Sequence, residues 1–583
     1  MNAIGAETVA IPDMRKLAPF YLSGAIILLF VTLFAVSASK PLQLDNMDFP
    51  AAAEQTAHTG LPIYYRGETN PHAVGLYHPP LYIYLLAAWM RVFGSEPAPV
   101  RLFGMVCAIG QGFIVLAIFS TLFGREVTFR CAPLFWAIFL LNPYTLQTSG
   151  IADIDSTIYG PLLCLVLLTV LRISWRNGEW RTVVVRWVDY FPVALALTLC
   201  LWAKLTTVLV LFPFVFLLLI ARLGALRAAL ATAALVFASV SAFLGTYYLY
   251  GALTGLDVNY TFAFTWMSFV QRGASGTPGT LARLADMRRN LAAMLPFMVC
   301  WTGTLPWIAA SLGASIAAVG GVRRHDRRMA HYALLLSLGL LITLYYCAKV
   351  GTFGQAPFKY TFVTWGLILT APVFLLHVEA ERISRRCLLV LGTLYALATL
   401  GSTLLIGDKL MLEGLSGMAR WAAYVPGLLF AAAFLLGPLW RTKAALAALA
   451  IYAGIQFGIG VYQEKAPYAT TYDYGQTGFS ETVSFIDENT TSEDRIVSMK
   501  DIGYRSRRRY FENYSALYGD PASASELEAV IASGKVAFAV FTEGKGQDQL
   551  MMNPALRQWI AEHCKLARSF GNYRIYQLAE KPR

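Results

Sequence analysis

Two stretches decide how this chain is to be read: LDNMDFP at residues 44–50 and HPPLYIYLLAAWMRVFG at residues 78–94. The first follows an apolar run at 18–38, which at about 20 residues is long enough to cross the roughly 30 Å hydrocarbon core of a bilayer. The second contains the apolar segment Leu81 to Phe93, about 20 Å long as a helix and too short to cross. Working outward, further runs of spanning length occur near 100–123, 131–149, 155–172, 188–203, 205–221 and 226–250. Others lie near 291–320, 329–348, 357–377, 387–406, 420–440 and 443–462, which makes thirteen with the first.

Sidedness follows from the short basic linkers, because Lys and Arg concentrate on the cytoplasmic side of membrane proteins. If 81–93 does not cross, Arg15/Lys16, Arg125/Arg130, Arg172/Arg176/Arg181/Arg186 and Arg222/Arg227 all fall on one face. Arg323/Arg324/Arg327/Arg328, Arg382/Arg385/Arg386 and Arg441/Lys443 join them. If it crosses, every linker after it changes side relative to the N-terminal pair. The segment also carries Trp89 and Arg91, residues suited to an interface, so it reads as a helix lying in the outer membrane surface. The loops 39–99, 251–290, 349–356 and 407–419 and the tail from about 463 then face outward. The apolar run after Arg15-Lys16 has no small-residue cleavage site behind it and reads as a span, not a signal peptide.

Composition agrees. Only 14% of the residues are charged, against roughly a quarter in soluble proteins, and 57% are hydrophobic, so lipid must cover what polar groups cannot. The net charge of +12 sits in clusters between apolar runs, the footprint of membrane orientation and not of nucleic-acid binding. Of eight cysteines only Cys564 belongs to the tail, which excludes a disulfide framework there. The expected architecture is an all-α membrane domain over 1–462, including the first outward loop 39–99, and a small soluble α/β domain over 463–583. In the tail, Arg495–Lys500, Val536–Phe541 and Tyr573–Leu578 read as strands, and Ser523–Ser533 and Pro554–His563 as helices. It shows no phosphate loop, metal cluster or nucleophile elbow, which favours scaffolding or acceptor guidance over catalysis.

Chemistry concentrates at the outer ends of the spans. Asp45 and Asp48 stand just beyond a membrane helix, where a carboxylate pair can hold a metal or act as a general base; it can also simply solvate a loop. Asp153 and Asp155 occupy the next outward turn, GIADIDS at 150–156, where ionisable groups are costly, although Asp155 or Ser156 could also serve as a helix cap. Lys204, in LWAKLTT, and Lys359-Tyr360, in QAPFKY, are cations at outward turns; each can bind phosphate or snorkel as an anchor.

An Asp-rich loop, then Gly60, aromatic residues, HPPLYIYLLAAW, FG and the pair Arg101-Leu102 together resemble the first loop of the GT-C glycosyltransferases. The resemblance is to the protein-O-mannosyltransferase-like branch, which includes the lipid A aminoarabinose transferase. It covers roughly residues 18–210, and the remainder in topology only. It implies a catalytic Asp just after the first helix, which by position is Asp45, fifteen residues before Gly60; Asp48 is the alternative. His78 stands where the family often has Lys, so the phosphate contact implied there passes to an imidazole. Asp155-Ser156, more than Asp153, matches an acid that joins the first-loop Asp in a metal or donor site. A divalent ion (Mg, Mn or Zn) held by Asp45, Asp155 and Asp153 is one implied possibility.

Lys204, Lys359 and Tyr360 match the family's cationic turns and would face a polyprenyl phosphate. The implied reaction is inverting transfer of a sugar from a polyprenyl-phosphate donor to a hydroxyl of a lipid, glycan or protein acceptor, outside a bacterial plasma membrane. Transporters or flippases tend to show inverted repeats and midplane charges, and neither is found here. A polytopic glycan polymerase or ligase would use Arg or His in place of a first-loop Asp.

Overall fold

The computed structural model describes residues 14–38, 42, 48–62, 78–271, 285, 287–292, 302–350, 356–377, 385–406, 416–436, 438–465, 478–498, 500–511, 521–543 and 553–579. The chain enters through α1 (Met14–Ala38), followed by the short helices α2 (Asp48–Thr59) and α3 (Leu81–Phe93), which pack on each other. α3 buries Tyr82, Ile83, Leu86, Ala87 and Met90 at helical spacing and leaves Val92 and Phe93 exposed. It is a separate thirteen-residue helix bounded by Pro80 and Gly94. Next come α4 (Pro97–Phe123), α5 (Arg125–Leu140), α6 (Pro143–Ser149) and α7 (Tyr159–Ser174). A two-stranded hairpin, β1 (Trp175–Arg176) and β2 (Glu179–Trp180), leads to α8 (Phe191–Ala203), α9 (Leu205–Leu223), α10 (Ala225–Thr254) and α11 (Asn259–Gln271).

Among the described residues, six helical stretches are long and apolar enough to cross a bilayer: Leu17–Val36, Pro97–Phe123, Ala225–Thr254, Leu305–Val322, Arg327–Ala348 and Trp440–Val461. Shorter apolar helices accompany them, so this is a multi-pass membrane protein. Several runs that read as single spans are broken. The run 131–149 is divided between α5 and α6 at Leu141-Asn142, just before Pro143, because a residue preceding proline is disfavoured in helical geometry. The run 357–377 is three pieces, Ala356–Phe362, Trp365–Ile368 and Thr370–His377. The run 155–172 becomes helical only at Tyr159. The last two runs meet earlier than hydropathy suggests: one helix ends at Ala433 and the next begins at Pro438.

The outer surface of the bundle shows where lipid sits. α10 buries Leu235, Ser239, Phe243 and Tyr247 on one stripe, yet Leu226, Phe237 and Leu253 are each at least 75% exposed. Burying even one such side chain is worth about 1.5–3 kcal/mol, so a row of them demands an apolar solvent.

The tail forms a five-stranded sheet in the order β4-β3-β5-β7-β6. Its strands are β3 (Arg495–Val497), β4 (Arg509–Phe511), β5 (Val536–Thr542), β6 (Cys564–Phe570) and β7 (Tyr573–Leu578). β3 pairs parallel with β4 and β5, whereas β5–β7 and β7–β6 are antiparallel. Strand alternation sends Ile496, Phe538 and Val540 to one face, where Phe485 of the Phe479–Asn489 helix packs at 5.5 Å from Phe538. Val497, Ala539 and Phe541 face the other side, under Leu527 and Ile531 of the Pro521–Ala532 helix and Leu556 and Ile560 of the Pro554–His563 helix. The strand expected over Arg495–Lys500 stops at Val497, and Lys500 opens a short helix instead. Arg505 of that helix reaches Glu96 at the start of α4, 3.4 Å away, tying the domain to the membrane portion.

Candidate active site

The turn between α6 and α7 is wound tightly by its own small polar groups. The Ser156 hydroxyl donates to the Ile151 carbonyl at 2.7 Å, and the Thr157 hydroxyl donates to the Asp153 carbonyl at 2.5 Å. The Asp155 backbone N–H donates to Asp153 Oδ1 at 3.0 Å. Arg101, in the first turns of α4, donates from Nη1 to the Gly150 carbonyl at 3.1 Å and fixes the start of the turn. α4 comes this close because residue 104 is glycine; a Cβ there would overlap the Ser149 carbonyl oxygen. Gly104→Ala is therefore expected to cost about 1–3 kcal/mol, as overpacking does. Thermal unfolding of the purified protein checks this, and an unchanged midpoint would mean that α4 and α6 are not in such close contact.

Into this turn project two lysines from distant parts of the chain. Lys204 occupies an extended link between α8 and α9 and donates to Asp155 Oδ2 at 2.5 Å. Lys359, on the Ala356–Phe362 helix, donates to Asp153 Oδ2 at 2.7 Å. Tyr360 lies between them, with the Lys204 ammonium 4.4 Å and the Lys359 ammonium 5.4 Å from its ring centre. Its other neighbour is Tyr346, stacked at 4.8 Å. Such contacts let aromatic faces share the cationic charge.

The four charges are well shielded: Asp153, Asp155 and Lys204 are 6%, 2% and 5% exposed. Ions so placed cost several kcal/mol each unless paired. Burial works to raise the Asp153 carboxyl, but the charges of Lys359 and Lys204 outweigh it and hold the group at about 2. Asp155 Oδ1 is buried without a hydrogen-bond partner among the described residues.

The first loop approaches the same place. The ring of Phe49, the second residue of α2, stacks on His78 at 6.3 Å and meets Tyr82 edge-on at 5.2 Å. Tyr82 in turn is fully buried; burial, then the nearby Asp153 charge, pushes its phenol well above the usual range. Asp48 is thus the first residue of a helix that opens beside the acidic turn. Its side chain, and Asp45 altogether, lie outside the described residues.

Of the residues singled out from the sequence, Asp153, Asp155, Lys204, Lys359 and Tyr360 come together, while His78 packs on Phe49. Each lysine holds an aspartate, Lys204 with Asp155 and Lys359 with Asp153. Among the described residues no group of three His, Cys, Asp or Glu could hold a metal. Sequence reading gave no role to Arg101 or Tyr82; the signal for Arg101 was an arginine within the first helical turns of an otherwise apolar run.

No protein-family model and no curated protein matches this chain. Solved structures do resemble it. ArnT from Cupriavidus metallidurans, crystallised bound to undecaprenyl phosphate, gives a TM-score of 0.58 at 14% identity, over 96% of this chain and 98% of that one. The apo oligosaccharyltransferase from Archaeoglobus fulgidus gives 0.52 at 12% identity, over 97% of this chain and 75% of that one.

Proposed function

We propose, on the premise that the chain carries the fold of the GT-C glycosyltransferases, that it is an inverting glycosyltransferase using a polyprenyl-phosphate sugar. The observation that carries the reading is the buried meeting of Asp153, Asp155, Lys204 and Lys359 beside the helix opened by Asp48. Residues from four segments converge there on a site suited to a phosphate and a hydroxyl. ArnT, which shares the fold, was crystallised with undecaprenyl phosphate.

In this reading Asp45, or Asp48, takes the proton of the acceptor hydroxyl. The freed oxygen attacks the anomeric carbon, the bond from that carbon to the phosphate oxygen breaks, and the lipid phosphate departs with the electron pair. Lys204 and Lys359, each held by its aspartate, bring two positive charges to the departing phosphate. The aspartates orient the lysines, and Tyr360 holds them apart. No step is assigned to a metal. The acceptor is a lipid, glycan or protein hydroxyl.

The same reading sets thirteen crossings in a bacterial plasma membrane, with the N-terminus cytoplasmic and the tail outside. Nucleotide sugars are confined to the cytoplasm, so an outward site requires a lipid-linked donor. In intact cells a membrane-impermeant thiol reagent should label Cys564 and spare a cysteine introduced by Asp326→Cys; the reverse pattern would overturn the topology. Function is tested by mass spectrometry of envelope glycolipids and glycoproteins from cells with and without the gene, together with transfer by the purified protein. A sugar-bearing species missing from the deleted strain and remade in vitro is expected. An unchanged envelope, with no transfer from any polyprenyl-phosphate sugar offered, would refute the reading.

A further inference from the structure

One stripe of α4 runs past both halves of the charged quartet. Arg101, Gly104, Ala108, Gln111 and Val115 are buried at spacings of three and four, so they lie on a single face. At its start Arg101 and Gly104 meet the opening of the acidic turn, at Gly150 and Ser149. Ten residues on, about 15 Å along the axis, Gln111 meets the broken helix that carries Lys359. One turn further, Val115 packs on the next piece of that helix, where a Cβ on Gly366 would stand 3.1 Å from its Cγ2.

Gln111 is fully buried, and its Nε2 donates to the carbonyls of Val363 at 2.9 Å and Phe362 at 3.2 Å. Both carbonyls lie at the break. In a continuous helix Val363 would receive the N–H of Leu367, but that group donates to Thr364 at 3.0 Å. The Gln111 amide supplies the donor that the helix gave up, and a buried carbonyl left bare is costly. The fit is close because residue 160 is glycine; a Cβ there would come within 2.8 Å of Gln111 Oε1. α6 grips the same break from its two ends. The Tyr144 hydroxyl lies 2.6 Å from Thr361 Oγ1, and the Trp365 indole N–H donates to Thr145 Oγ1 at 3.1 Å. Lys359 stands one turn before the break, and Asp153 stands just beyond the end of α6.

We infer that Gln111 is a positioning residue: by holding the break at Phe362-Val363 it sets the reach of Lys359 to Asp153. With the amide gone, this end of the helix piece is held from the α6 side only. A small rotation there moves the Lys359 ammonium off its partner. The consequence for sugar transfer rests on the reaction proposed above; the consequence for the ion pair does not.

The test is a double-mutant cycle on the full chain in detergent. Unfolding is measured for the parent, Asp153→Asn, Lys359→Met and the two together, first with glutamine at 111 and then with Gln111→Met, which keeps the volume. With glutamine, the coupling of Asp153 to Lys359 is expected to be at least about tenfold in the unfolding equilibrium, and with methionine it should fall to about one. If Gln111→Met does not fold, Gln111→Asn, still polar but too short to span both carbonyls, should lower the coupling in the same way. A purely structural glutamine would lower all four stabilities alike and leave the coupling unchanged, which would overturn the inference. So would a pair uncoupled with glutamine in place. In transfer assays Gln111→Met should be about 10–10²-fold slower, as a displaced group makes it, with no further loss when added to Lys359→Met. A loss that multiplies in that background would overturn the inference. Collapse of the coupling in a protein that transfers no sugar in any form would refute the reaction and leave the positioning role standing.

Discussion

Asp45→Asn is expected to bind the lipid-linked donor normally and to transfer sugar about 10²–10⁴-fold more slowly, the contribution of a well-placed general base. The amide keeps the shape of the carboxylate and can still donate to a sugar oxygen, but it cannot take the acceptor proton. Asp45 follows the first membrane helix directly, and Asp48 begins α2, whose Phe49 leans through Tyr82 toward Asp153. Steady-state transfer and equilibrium donor binding, measured for Asp45→Asn and Asp48→Asn side by side, separate the two carboxylates. If only Asp48→Asn is inactive, the reaction stands and the base is Asp48. Full activity in both variants would refute general-base transfer by this loop.

Lys204→Ala is expected to destabilise the protein by about 3–5 kcal/mol, because it strands Asp155 as an uncompensated buried charge. Both partners are less than a tenth exposed, so water cannot take over from the lost ammonium. The double variant Lys204→Met, Asp155→Leu should recover most of that stability while remaining inactive, since apolar groups of similar volume often replace a buried pair at little cost. Denaturation midpoints together with donor binding decide the matter. A Lys204→Ala protein with normal stability and weak donor binding would show that the lysine serves the ligand alone. A double variant that transfers sugar normally would remove the pair from the mechanism.

Much of this site was legible because ionisable residues at the mouths of membrane helices are rare. Asp153, Asp155, Lys204 and Lys359 stood out against long apolar runs, where a charge is costly, and the resemblance to the family's turns singled them out further. What could not be read was their pairing: hydropathy locates a charge along the membrane normal but says nothing about its neighbour in the plane. Lys204 and Asp155 are 49 residues apart, and Arg101 and Gly150 equally far. The helix breaks at Leu141-Asn142 and Val363-Thr364 were hidden for a related reason. Buried helix ends can satisfy their backbone groups within the protein, as the Asn142 side chain does for Tyr144 N–H, so no polar loop interrupts the apolar pattern. In the soluble domain Val536–Phe541 was plain from its β-branched and aromatic run, and the strand continues to Thr542. β6, CKLARSF, was missed because an edge strand can carry a polar, solvated face with weak alternation.

The bond between Lys359 and Asp153 spans 206 residues of sequence, and that separation sets a clock on biogenesis. A ribosome adding roughly 5–20 residues per second needs about 10–40 s to travel that distance. Throughout that interval Asp153 has already been delivered to the membrane while its counter-ion does not yet exist. Lys204 arrives much sooner and can neutralise only one of the two aspartates. The nascent protein must therefore shelter a lone carboxylate, by proton uptake, by water, or by the insertion machinery, until the later helices are threaded.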